Sequence, residues 1–274
     1  MDQGRVLEDV IAWAAGDDNI RLVVVTGSFA RGEEHVDPLS DLDLELYVRD
    51  PAPLLERHEW YRPFGEVLAI EALENAGWNP TRLIYYVNGK IDFMIGSVDA
   101  LSDGVAYDRE HRVLLDKDGL AGRLRLERAT GSPPSQEEFE RCVDWFAAAA
   151  LMCAKSIVRD EPWMAKIRDE EVKATLLQMI EWGHRARYGW DYDTWYLGVR
   201  MRQWMDPDVQ QALEACWAHF SLEDTRRGLV ASIELFDRLC SRTAGTLGFR
   251  PFDAERVGAE VERILGLHPR DGGA

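Results

Sequence analysis

Apolar residues recur at helical spacing over residues 5–15, where Val6, Leu7, Val10, Ile11 and Ala14 fall on one face and Gly16 follows as a stop. The pattern then shortens. Leu22-Val23-Val24-Val25 is a β-branched run that predicts a buried strand, and Thr26 to Gly32 is a turn of small residues. Leu42-Asp43-Leu44-Glu45-Leu46-Tyr47-Val48 alternates strictly, which predicts a strand with one apolar face. Residues 82–87 and 91–95 read as two further strands joined by a tight turn at Asn88-Gly89. The first hundred or so residues are therefore expected to hold a mixed or antiparallel sheet with flanking helices.

The period changes near residue 130. Thr130-Gly131-Ser132-Pro133-Pro134 breaks the chain, and Ser135 with Glu138 forms a capping box that opens an apolar-periodic stretch running to about Val158. Further helical patterns cover roughly 169–187, 207–219 and 224–246, and no strand-like run follows residue 130. The expected class is α+β: a sheet domain over 1–131, an all-helical bundle over 132–268, and a frayed tail over 269–274.

Composition adds a bias. The chain has 274 residues, 46% of them hydrophobic, so a sizeable core is expected. With 32 basic and 49 acidic side chains the formal charge is −17. Such a surface repels nucleic acid and anionic membranes and attracts polycations. Cys142, Cys153, Cys216 and Cys240 form no CxxC pair and lie in helical segments, which predicts buried thiols rather than zinc ligands or disulfides. The six histidines show no metal-ligand spacing. The N-terminus lacks an apolar signal region and no apolar run is long enough to span a bilayer, so a cytoplasmic protein is expected. A monomer is the expected state.

Three elements carry chemistry. Gly27-Ser28 follows a buried strand and precedes a helical turn, where glycine permits close backbone approach and free amides with the Ser28 hydroxyl can hold phosphate oxygens. Asp41 and Asp43 stand at i and i+2 of a strand and so point to the same face. Adjacent carboxylates repel unless a cation such as Mg²⁺ takes their oxygens. Asp92 sits in the otherwise apolar run Ile91-Asp92-Phe93-Met94-Ile95, and a lone carboxylate there needs a partner. Three carboxylates with two cations suit in-line phosphoryl or nucleotidyl transfer.

The chain resembles the polymerase-β-like nucleotidyltransferases, and more closely the aminoglycoside 6-adenylyltransferase (streptomycin adenylyltransferase) family. The resemblance rests on Gly27-Ser28, Asp41-Leu42-Asp43, Phe64-Gly65-Glu66, Gly89-Lys90-Ile91-Asp92-Phe93, Val113 to Gly119, Met179-Ile180-Glu181-Trp182 and Leu247-Gly248-Phe249. It implies a reaction in which AMP passes from ATP to a hydroxyl of an aminoglycoside, position 6 of streptomycin being the first expectation, with release of pyrophosphate. It implies that Gly27 and Ser28 hold the ATP phosphates, that Asp41 and Asp43 bind Mg²⁺, and that Asp92 is a third ligand or the general base. It also implies a helical domain that closes over ATP and the drug, with Glu181 and Trp182 lining the cleft. Two positions depart from the family pattern. Phe29 stands where relatives use arginine, leaving Arg31 as the nearby candidate, and the stretch 194–202 lacks the usual lysines, leaving Arg200 and Arg202, with Lys155 and Lys166 as further candidates. Glu71 and Asp193 are candidate contacts for the cationic acceptor, and one or two of the tryptophans after residue 140 are expected at its site. Asp116 and Asp118 read as organisers of a turn. Other acceptors of the same chemistry (another aminoglycoside, a lincosamide, a protein hydroxyl) and a non-catalytic nucleotide-binding module stay open on the sequence alone.

Overall fold

The alternation over residues 42–48 fixes two faces of one sheet. Leu42, Leu44 and Leu46 are buried in the main core of the N-terminal unit, while Asp43, Glu45 and Tyr47 point the other way. The structure is a computed structural model and describes residues 2–57, 59–74, 79–128 and 131–267. The chain divides into two compact units, Met1–Ala129 and Thr130–Ala274.

In the first unit, helix α1 (Gln3–Gly16) is capped by Asp2, whose carboxylate accepts from the Arg5 amide at 3.1 Å, and buries Val6, Val10 and Ala14 as the spacing predicts. The strands are β1 (Ile20–Val25), β2 (Leu42–Val48), β3 (Val67–Leu73), β4 (Thr81–Tyr86), β5 (Gly89–Ser97), β6 (Val105–Tyr107), β7 (Arg112–Asp116) and β8 (Leu124–Leu126), with short helices α2 (Gly27–Arg31) and α3 (Ala52–Glu56) between them. The principal sheet runs β3-β4-β5-β2-β1-β7; β6 and β8 form a separate parallel pair. β2 and β5 are parallel neighbours and the remaining pairs of the principal sheet are antiparallel, so the sheet is mixed. The β4–β5 hairpin closes as expected, with Tyr86 paired to Gly89 and Asn88 in the left-handed region at φ 64°. Behind the sheet, Trp13, Trp60, Phe64 and Phe93 pack as an aromatic cluster.

The second unit holds α4 (Gln136–Val158), α5 (Pro162–Tyr188), α6 (Met201–Trp204), α7 (Pro207–Cys216), α8 (Leu222–Leu247) and α9 (Ala254–Leu265), and no strand occurs among its described residues. The capping box is present: the Ser135 amide donates to Glu138 at 2.8 Å and the Glu138 amide to Ser135 Oγ at 3.2 Å. α5 begins seven residues before the periodic stretch at 169 because Pro162 supplies a preformed first turn. Phe146 stacks on Phe236 at 3.7 Å between α4 and α8, and Phe252 meets both edge-on. All four cysteines are buried and unpaired; burial pushes the Cys142 and Cys153 thiols up to about 12. No helix among the described residues is long and apolar enough to cross a membrane. The expected tail over 269–274 lies outside the described residues.

Candidate active site

β2 and β5 run parallel with Asp43 directly opposite Asp92. Continuing across the sheet, Asp92 pairs with Leu83 on β4 and Leu83 with Glu71 on β3. Directly opposed residues share a face, so Asp43, Asp92 and the exposed Glu71 stand in one row on the face turned away from the main core. Asp41, two residues before Asp43, joins them through a cation: Lys90 Nζ lies 2.9 Å from Asp41 Oδ2 and 3.0 Å from Asp92 Oδ2. The same ammonium sits 5.6 Å over the Tyr85 ring, whose hydroxyl donates to Glu71 at 3.2 Å.

The electrostatics follow from crowding. Burial, then the neighbouring charges of Asp92 and Asp41, push the Asp43 carboxyl up to about 6, while Lys90 and Arg31 pull the other way. Asp92 is also raised, chiefly by burial, with Lys90 opposing. Burial works against the Lys90 ammonium, but its bonds to Asp41 and Asp92 outweigh that and lift it above the ordinary lysine value.

The loop after β1 meets this row from the side. The Thr26 amide donates to the Asp43 carbonyl at 2.9 Å, which ties the loop to β2. Gly27 follows at φ +63°, and a Cβ there would lie 1.9 Å from Asp43 Oδ2. The glycine thus makes room for a carboxylate of the site itself, beside an α2 N-terminus that has no side-chain cap. Phe29 is accounted for by packing, since it lies against the main core. Arg31, at the end of the same short helix, is close enough to act on Asp43 and Glu110. Further on, the Asp116 carboxylate accepts from the amides of Leu120 and Ala121 at 2.9 Å each, and Asp118 pairs with Arg21, so both aspartates serve the turn after β7.

The remaining candidates belong to the helical unit. Glu181 lies on α5, where burial pushes its carboxyl up to about 7 against the pull of Arg185. Trp182 stacks on Phe139 at 6.0 Å and packs against the helical core. Asp193 accepts from the Trp195 amide at 2.8 Å, and the Arg200 guanidinium lies 4.2 Å over the Trp195 ring. Their loop is strained, since Trp195, Leu197 and Arg200 all have positive φ while Tyr196 and Leu197 are largely exposed. Lys166 donates to the Ala218 carbonyl at 3.0 Å.

Two residues of the first unit had no role assigned from sequence. Lys90 stood in the motif run without one, although its i, i+2 relation to Asp92 places both on one face. Glu45 is the third carboxylate of the series Asp41, Asp43, Glu45. Tyr47 donates to its Oε2 at 3.0 Å, and Tyr107 donates to the same oxygen.

The donor set suits a hard divalent cation: carboxylate oxygens alone, of which Asp92 Oδ1 is buried without a hydrogen-bond partner. Among the described residues no three such groups are already gathered around a metal position, and Lys90 is the cation that Asp41 and Asp92 share.

Paired carboxylates leading one strand, a third directly across on its parallel neighbour, and a Gly-Ser loop against them are the arrangement of a nucleotidyltransferase. The chain belongs to the streptomycin adenylyltransferase family, whose sequence model matches residues 2–259. It is 22% identical over 271 residues to an aminoglycoside 6-adenylyltransferase of Campylobacter jejuni, covering 94% of each chain. To the aminoglycoside 6-adenylyltransferase of Bacillus subtilis it is 20% identical over 264 residues, covering 90% of this chain and 91% of that one. Among solved structures it aligns with the crystal structure of an aminoglycoside 6-adenyltransferase from Bacillus subtilis at 18% identity and a TM-score of 0.49, over 97% of this chain and all of the other.

Proposed function

We propose that this nucleotidyltransferase transfers AMP from ATP to a hydroxyl of an aminoglycoside, with position 6 of streptomycin the first acceptor, and releases pyrophosphate. The observation that carries the reading is the register that sets Asp43 opposite Asp92, with Asp41 brought to Asp92 through Lys90. Asp41, Asp43 and Asp92 would hold Mg²⁺, which when bound polarises the phosphate being transferred and neutralises the leaving pyrophosphate. The amides of Gly27 and Ser28, with the Ser28 hydroxyl and Arg31, bind and orient the β- and γ-phosphates at the start of α2. Asp92 would serve either as the third Mg²⁺ ligand or as the base that takes the proton of the attacking hydroxyl, and its unpartnered Oδ1 supports a role in binding one or the other. The acidic row from Asp43 to Glu71 favours a polycationic acceptor, as does the charge of −17. In the helical unit, Glu181, Trp182 and Asp193 are assigned to the acceptor and Arg200 to ATP.

The test is pyrophosphate release by the purified chain with ATP, Mg²⁺ and streptomycin. Asp41→Asn and Asp92→Asn should each slow it by two or more orders of magnitude, about the contribution of a positioned acid–base group or more. Equal release by Asp41→Asn and wild type would refute the assignment of the carboxylates.

A further inference from the structure

Two residues beyond Asp43 on the same strand and the same face, about 7 Å along at 3.3 Å per residue, Glu45 forms part of the wall of a cavity of about 440 Å³. Tyr47, Asn79, Thr81, Tyr107 and Asp108 are among its other polar walls, and among the described residues no lysine, arginine or histidine lines it. The volume lies within the range of about 300–1,000 Å³ typical of small-molecule sites. Both tyrosine hydroxyls donate to Glu45 Oε2, and they lie 3.2 Å from each other. Their bonds hold the carboxylate in the wall of the cavity. Glu45 has no cationic partner among the described residues, in contrast to Asp41 and Asp92, which share Lys90. A half-buried, oriented carboxylate that shares its cavity wall with Asp108 and has no countercharge among the described residues is complementary to a cation with several N–H donors. It is unsuited to a triphosphate, which would meet Glu45 and Asp108 with like charge.

We propose that this cavity is an acceptor subsite, in which Glu45 pairs with a guanidinium or protonated amine of the substrate remote from the hydroxyl presented at Asp92. The proposal rests on the polycationic-acceptor reading above. Glu45→Gln keeps the side chain's shape, and its amide oxygen still accepts from Tyr47 and Tyr107, so the fold is expected to survive. That is checked by thermal melting. Losing one charge-assisted contact should raise the streptomycin KM by about 10- to 100-fold, with kcat, the ATP KM and the Mg²⁺ dependence within about threefold of wild type. Tyr107→Phe, which frees the carboxylate from one of its two restraints, should raise the same KM by a smaller factor. Calorimetric titration of streptomycin into the ATP-free variants should show the same order of weakening. If wild type transfers AMP to streptomycin and both variants keep its KM and Kd, the subsite is wrong and the functional reading stands. A rise confined to the ATP KM would assign the cavity to the nucleotide and overturn the proposal. If wild type modifies no aminoglycoside, the functional reading fails and the subsite falls with it.

Discussion

Replacing Gly27 by alanine separates the demands of folding from those of the site. The new Cβ would lie 1.9 Å from Asp43 Oδ2 and 2.8 Å from Asp43 Cγ, against the 3.4 Å at which ordinary contact begins. The Asp43 carboxylate must therefore retreat by about 1.5 Å. Rotation of one side chain can supply that, so the clash itself costs little stability. The backbone cost is that of an alanine at φ +63°, about 1–2 kcal/mol. Function should suffer far more, because a 1 Å displacement of a positioned group costs about 10²-fold in rate. The expected result is a folded variant with a melting temperature a few degrees lower and a kcat for pyrophosphate release reduced about 100-fold or more. A Gly27→Ala variant within threefold of wild-type kcat would refute the placement of Asp43 against this loop and the role given to its carboxylate.

Lys90→Met removes the cation shared by Asp41 and Asp92. As Lys90 is 19% exposed, the loss in chelator should be on the order of 1–3 kcal/mol, between the exposed and buried limits, and Mg²⁺ should restore more of the melting temperature than it adds to wild type; equal melting of variant and wild type in chelator would contradict the bridge. Glu181 titrates at about 7 in the folded chain against an ordinary 4.5, so the folded state holds its proton longer than the unfolded state. Its contribution to stability is full below about pH 4.5 and is lost as pH rises through 7; Glu181→Gln should flatten that part of the stability–pH curve, and an unchanged slope would count against it. Within α5, Lys173 Nζ and Asp169 Oδ1 meet at 2.5 Å with 7% and 10% exposure. Asp169→Ala should therefore cost about 3–5 kcal/mol in urea unfolding by stranding the ammonium, while Asp169→Leu with Lys173→Met should cost less; a loss under 1 kcal/mol in the single variant would contradict the pair's burial.

The elements legible in the sequence are those whose two faces differ. β2 shows itself because Leu42, Leu44 and Leu46 are buried while Asp43 is not, and α1 because Val6, Val10 and Ala14 stack on one side. β3 is illegible for the opposite reason. It is an edge strand with Leu68 and Ile70 both exposed, so no alternation marks a core side. β6 and β8 have three residues each, too few for any period. α9 has two faces as distinct as those of α1: Val257, Val261, Ile264 and Leu265 stand at helical spacing, and the last three reach the core. Within the site, Asp41, Asp43 and Asp92 stood out as charges among apolar neighbours. Lys90 and Glu45 did not, because their significance depends on the β2–β5 register and on Tyr107, which is brought to Glu45 from 62 residues away. Neither relation is written in local sequence.

The central claim is adenylyl transfer to a hydroxyl of an aminoglycoside, and mass spectrometry of the acceptor tests it most directly. Streptomycin incubated with the wild-type chain, ATP and Mg²⁺ should gain the mass of one adenylyl group, matched by an equal amount of pyrophosphate, and should stay unmodified with Asp92→Asn. Unmodified streptomycin and unmodified alternative aminoglycosides after incubation with the folded wild-type chain would contradict the account.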